Sequence, residues 1–289
     1  MPKRWPGSRV ATGVSGGSNM RQRIITGLLL VFGAVLAITL LPSHWFAGLV
    51  GVVVAIAAYE WQRLCRLEGL ASGLYVVATL FVGGVLFYFL FPTGLVIVAA
   101  GALLLWLVLW VDLLRFRSHA APPRSDTLRL LLGVLVLPLM WYAIVRVHAS
   151  DAGPWLLIYG MLLVWVADSF AYFAGRAFGR HKLAPAISPG KTLEGVAGGL
   201  VGVTVVSAVG ALLPIFAMVS SLQLAFWSVL VALVSVGGDL EESRLKREVG
   251  AKDSGKLLPG HGGVLDRIDG QIAAMPVWLL ALWQMGLLG

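Results

Sequence analysis

Nine long apolar runs separated by short polar segments constrain this chain more than any other feature of its sequence. They fall at about 24–41, 45–59, 73–91, 94–111, 130–147, 155–174, 194–218, 222–238 and 271–288. A helix needs about 20 residues to cross the hydrocarbon of a bilayer. Backbone in lipid must satisfy its own hydrogen bonds, which favours helices for runs of this length. The pattern predicts an all-α, polytopic membrane protein with about nine transmembrane helices. Composition agrees, since only 12% of the residues are charged, against about 25% in soluble domains. The first run is longer than a signal-peptide core and eight more follow it, so a retained first span is expected.

Charge sets the orientation. With the N-terminus in the cytosol and nine alternating spans, all of the 22 Lys and Arg residues except Arg146 fall on the cytosolic side, as the positive-inside rule requires. The net charge of +8 then needs no nucleic-acid partner, because attraction to anionic headgroups accounts for it. Residues 1–23 read as a basic cytosolic tail, polar and glycine-rich and expected to be disordered. Residues 24–289 form the membrane-embedded domain, with its chemistry in two polar segments at about 168–195 and 239–270. The single cysteine, Cys65, excludes an internal disulfide and a multi-cysteine metal centre. The five histidines show no metal-ligand spacing. Gly195, Gly198, Gly199 and Gly202 suggest close helix packing in the seventh span.

The segment Asp239–Gly270 concentrates both signs of charge. It holds Asp239, Glu241, Glu242, Glu248, Asp253, Asp266 and Asp269, half of the chain's 14 acids, beside six basic residues. Such a mixture suits divalent cations held by carboxylates and phosphates held by Lys and Arg. The run Pro259-Gly260-His261-Gly262-Gly263 lets backbone amides approach an anion closely. Asp168 interrupts the sixth apolar run, and an intramembrane carboxylate is a functional candidate by default. Ser188-Pro189-Gly190-Lys191-Thr192 precedes the seventh run. It either presents helix-start amides and Lys191 to phosphate or simply caps the helix through Ser188 or Thr192. Neither Gly250–Lys256 nor Gly190-Lys191-Thr192 completes a Walker loop. Leu257 takes the hydroxyl position of the first, and Pro185 stands where the second needs glycine.

The stretch Ser243–Asp269, SRLKREVGAKDSGKLLPGHGGVLDRID, closely resembles the signature of the CDP-diacylglycerol synthases (phosphatidate cytidylyltransferases). The upstream SPGKTLEG, Ser188–Gly195, is similar to a second motif of that family. The resemblance implies transfer of CMP from CTP to phosphatidate, giving CDP-diacylglycerol and pyrophosphate, with Mg2+ required. It also implies a homodimer in a bacterial inner membrane, working on membrane lipid from the cytosolic side. Asp239 and Asp266 match the acidic positions associated with the metal, and Asp253 is a third candidate.

On that resemblance Asp239, Lys252, Asp253, His261, Asp266 and Arg267 are expected to be catalytic. Ser188, Lys191, Thr192, Ser243, Lys246, Arg247, Gly262 and Gly263 are expected to bind substrate. Lys252, Arg267 and Lys191 would neutralise phosphate oxygens. Lys246 and Arg247 would hold anionic headgroups, and Asp168 would orient a neighbour. His261 either donates to the leaving pyrophosphate or shapes the glycine turn. The phosphomonoester of phosphatidate, with a second pKa of about 6, is already ionised, so no strong general base is expected. A CTP-dependent lipid kinase and a transporter are the rival readings. The charge gathered in cytosolic loops disfavours the transporter.

Overall fold

The computed structural model of the chain describes residues 18–91, 93–116, 124–258 and 262–288. Its α-helices are α1 (Ser18–Leu40), α2 (Ser43–Leu64), α3 (Gly69–Leu90), α4 (Leu95–Phe116), α5 (Asp126–His148), α6 (Gly153–Phe178), α7 (Leu193–Gly210), α8 (Ser221–Glu248) and α9 (Leu265–Gln284). Each matches one apolar run. Seven of them, α2 to α8, are long and apolar enough to cross a membrane. The chain is a mostly helical, multi-pass membrane protein. Large apolar side chains cover its outer faces, as with Leu70, Val77 and Phe81 on α3 and Ile97, Leu104 and Val108 on α4. Water would not tolerate patches of that extent.

Helix α9 lies at the centre. Its residues are buried without a break from Gly270 to Leu282, and it packs against α8, α5, α4, α6 and α2. A helix buried on every side is a core element whatever its own hydropathy. Between α6 and α7 the glycines permit close approach. A methyl group on Gly199 would stand 2.7 Å from the Ala167 carbonyl oxygen.

Polar contacts at the helix ends show that the helices alternate in direction. The end of α2 meets the starts of α5 and α9, through Trp61 Nε1 donating to the Arg129 carbonyl and Leu265 N donating to Glu60. At the far end, His148 at the close of α5 meets Ser43 at the start of α2 and the Ile38 carbonyl at the close of α1. The ends of α2, α4, α6 and α8 thus share one side with the starts of α5, α7 and α9.

Four details lie beyond the sequence pattern. Among the described residues the fold is not purely helical: Lys182–Ala184 (β1) and Ser188–Thr192 (β2) form an antiparallel hairpin pairing Lys182 with Thr192 and Ala184 with Ser188. Pro185 and Pro189 deny this stretch a helix. The segment 239–270 is not one loop, because α8 continues to Glu248 and α9 begins at Leu265. The charged end of α8 stays helical because partners satisfy it, among them the Arg244–Glu248 pair at 2.8 Å one turn apart. Helix α7 stops at Gly210, before the turn at Pro214–Phe216. Finally, α1 starts at Ser18, inside the segment expected to be disordered; Met20 to Arg23 are good helix formers and extend the apolar helix. The rest of that tail lies outside the described residues.

Candidate active site

An open pocket of about 590 Å³ sits at the charged end, between α6, β2, α7, α8 and the start of α9. Five carboxylates line it (Asp168, Asp239, Asp253, Asp266 and Asp269), together with the cations Arg176, Lys191, Lys246 and Arg267. They arrive from four elements and the segment between α8 and α9, which carries Asp253. Helix α8 supplies Asp239 and Lys246, the hairpin supplies Lys191, α6 supplies Asp168 and Arg176, and α9 supplies Asp266, Arg267 and Asp269.

Two ion pairs organise the pocket. Lys191 Nζ lies 2.5 Å from Asp239 Oδ2, and Ser243, one turn along α8, donates to Asp239 Oδ1 at 3.3 Å. Lys246 Nζ donates to Asp266 Oδ1 at 2.7 Å and also pairs with the buried Glu242. Asp266 accepts further hydrogen bonds from Gly263 N at 2.8 Å, Ser254 N at 3.0 Å and Ser254 Oγ at 2.9 Å. Thr192 lines the pocket and caps α7, its Oγ1 accepting from Gly195 N at 3.0 Å.

The glycine turn has a clear physical reason. Gly262 has φ +81°, a left-handed conformation that a side chain would strain. Gly263 lies where a methyl group would meet Ser254 Oγ at 2.2 Å and Glu60 Oε2 at 2.4 Å. The anions nearest these amides are the protein's own. Asp266 takes the Gly263 amide, and Glu60 takes those of Val264 and Leu265.

Not every expected residue converges on the pocket. Lys252 lines a neighbouring cavity of about 350 Å³ with Arg63, Ser254, Gly255 and Lys256, and Asp253 borders both. Ser188 sits at the far end of β2, paired with Ala184. Arg247 fastens α8 to the hairpin, donating to the Ile187 carbonyl at 3.3 Å and the Ala251 carbonyl at 3.2 Å. His261 lies outside the described residues. Asp269 and Arg176 were not singled out from the sequence. The signal for Asp269 was its place one turn after Asp266, on the same helix face. Glu60, a lone acid closing the apolar run of α2, was passed over although intramembrane carboxylates are functional candidates.

A buried charge network braces α8 behind the pocket. Arg124 joins Asp112 at 2.6 Å and also pairs with Glu241. Arg244 reaches Asp112 at 2.7 Å. Burial opposes the charge on Arg124, but Glu241 and Asp112 outweigh it and hold its pKa above the ordinary arginine value.

The donor set suits a hard divalent cation, since carboxylate oxygens line the pocket. Among the described residues no three acidic, His or Cys side chains stand close enough to hold a metal by themselves. Magnesium is usually bound through one or two carboxylates plus substrate phosphates and water. The pocket therefore fits an ion that arrives with a phosphate substrate better than a resident ion in an all-protein cage.

Comparison with known proteins identifies the family. The model of the cytidylyltransferase family matches residues 21–285. A phosphatidate cytidylyltransferase of Pseudomonas aeruginosa is 40% identical over 267 residues, covering 92% of this chain and 98% of the relative. Another from Haemophilus influenzae is 36% identical over 283 residues, 89% of this chain and 96% of the relative. A third, from Bacillus subtilis, is 34% identical over 280 residues, 92% and 99% respectively.

Proposed function

The chain belongs to the cytidylyltransferase family, and on that premise we propose that it transfers CMP from CTP to phosphatidate, yielding CDP-diacylglycerol and pyrophosphate. The observation that carries this reading is the pocket in which carboxylates and cations from α6, β2, α8 and α9 meet. Two polyanions must be brought together there. Positioning and charge neutralisation are the dominant needs of such transfers.

A phosphate oxygen of phosphatidate attacks the α-phosphorus of CTP, the bond to the β-phosphate breaks, and pyrophosphate leaves. The nucleophile is already ionised, so the pocket needs no strong base. Lys191, Lys246 and Arg267 hold phosphate oxygens, and Lys252 adds positive charge in the neighbouring cavity. Ser243 and Thr192 orient Asp239 and the hairpin. Magnesium, when bound, neutralises phosphate charge and polarises the α-phosphorus. Asp239 and Asp269 would hold it, with Asp253 and Asp266 as further donors; Asp239 would have to exchange Lys191, and Asp266 Lys246, for the ion. Chelation is expected to stop turnover and added magnesium to restore it.

Nine crossings with a cytosolic N-terminus suit the alternating helix ends and the distribution of basic residues. In that orientation the pocket faces the cytosol of a bacterium, across its inner membrane, and the acyl chains of the substrate remain in lipid. The enzyme acts as a homodimer. The decisive assay is transfer from CTP labelled at the α-phosphate, with phosphatidate and magnesium. Label entering the lipid supports the reading, whereas label entering only from the γ-position identifies a lipid kinase.

A further inference from the structure

Glu60 lies one turn before the end of α2, with its side chain turned to a segment about two hundred positions away. The residue is only 4% exposed, and among the described residues its hydrogen-bond partners all lie in that segment. Its Oε2 accepts from Leu265 N at 2.8 Å and Ser254 Oγ at 3.2 Å, and its Oε1 accepts from Val264 N at 3.1 Å. A buried carboxylate is costly unless hydrogen-bonded, and these donors meet that condition. Two of them are amides at the start of α9, where free N–H groups and the helix dipole favour a negative charge. The N-cap residue, Val264, offers no side-chain cap. The cap comes instead from another helix.

The surrounding segment is shaped to this carboxylate. A methyl group on Gly255 would lie 2.3 Å from Glu60 Oε1, and one on Gly263 would lie 2.4 Å from Oε2. Ser254 links Glu60 to the pocket, because its hydroxyl stands 3.2 Å from Glu60 Oε2 and 2.9 Å from Asp266 Oδ2. Glu60 itself does not line the pocket.

We propose that Glu60 is a positioning residue for the transfer reaction: it fastens Ser254, Val264 and Leu265 to α2 and thereby fixes Asp266 and Arg267 in the pocket. Without it Ser254, Val264 and Leu265 lose an acceptor. The first turn of α9 then frays, and the two side chains it carries lose their register. The proposal rests on the cytidylyltransferase reading for its kinetic readout only.

The test uses purified full-length protein carrying Glu60→Ala, Glu60→Gln, Gly255→Ala, or Glu60→Ala with Gly255→Ala. Misplacing reacting groups by about 1 Å costs on the order of 100-fold, so Glu60→Ala is expected to lower kcat about 100-fold. Glu60→Gln keeps one acceptor oxygen and should lose about 10-fold, with the KM for CTP changing by less than about 3-fold in both. Hydrogen exchange should rise at 254–265 and stay unchanged at 140–148. Gly255→Ala alone should also slow turnover, whereas the double variant should be no slower than Glu60→Ala, because the added methyl then has room. Glu60→Ala keeping more than half of wild-type kcat would overturn the proposal. So would additive losses in the double variant, or exchange rising equally through the bundle. If Glu60→Ala does not fold, the isosteric Glu60→Gln and the Gly255→Ala variant carry the test. If the wild type makes no cytidine lipid, the reaction reading fails, and exchange at 254–265 alone decides the anchoring.

Discussion

The two ends of the helix bundle are held together by different physics. At the far end the contacts among the described residues are mostly neutral: Tyr142 donates to the Leu90 carbonyl at 2.8 Å, His148 stacks on Phe46 at 4.1 Å, and the cation Arg146 lies over the Phe91 ring at 5.0 Å. Trp278 and Tyr159 pack 5.6 Å apart deeper in the bundle. At the pocket end, charges from remote segments bind one another: Lys191 to Asp239, Lys246 to Asp266 and Arg124 to Asp112 and Glu241. Packing needs no charge, and burying one is costly unless it is paired. A protein that gathers so many charges at one end of an apolar bundle has a use for them beyond stability.

Breaking that asymmetry should show in graded losses. Asp239→Asn should lower cytidine-lipid formation by about 10³-fold, a loss typical of removing a central electrostatic group, while the protein still inserts and purifies as folded. Lys191→Ala should cost about 100-fold, because a phosphate-neutralising cation is lost from the pocket. Lys252→Ala, in the neighbouring cavity, should cost less, about 10-fold; equal losses for the two lysines would remove the distinction between the cavities. Steady-state kinetics with CTP and phosphatidate varied separately measures both. Arg124→Ala should act on the fold, destabilising by about 3 kcal/mol because Glu241 is left buried without its partner. Thermal unfolding in detergent reads that loss. The smallest kinetic effect belongs to the far end, where His148→Ala should leave kcat within about 2-fold of wild type, since substitutions remote from the chemistry act through stability.

Much of this was legible in the sequence because lipid leaves so few choices. Among the described residues each of the nine apolar runs is a helix, and Asp239, Lys191, Lys246, Asp266 and Arg267 line one pocket. The residues that escaped depend on distance. Glu60 meets Leu265, and Arg124 meets Glu241, across segments that no local spacing connects. Charge density misled as well. The end of α8 looked like a loop because it is polar, but Glu241 and Arg244 are buried in ion pairs that keep it helical. The sequence places Lys252 among the phosphate-neutralising residues and Lys246 among the headgroup binders. The helix ends between them, so Lys246 points into the pocket and Lys252 belongs to the neighbouring cavity.

Site-directed alkylation tests most directly whether CTP binds at the charged end. The native thiol offers little background, because burial pushes the Cys65 pKa up to about 11 and the thiolate is the reactive form. In a Cys65→Ala background, Ala171→Cys would set a thiol in the pocket wall, and Leu212→Cys would set one on the exposed turn at the far end. CTP with magnesium should slow alkylation of the first and leave the second unchanged. Protection of the far-end thiol alone, or of neither, would contradict the account.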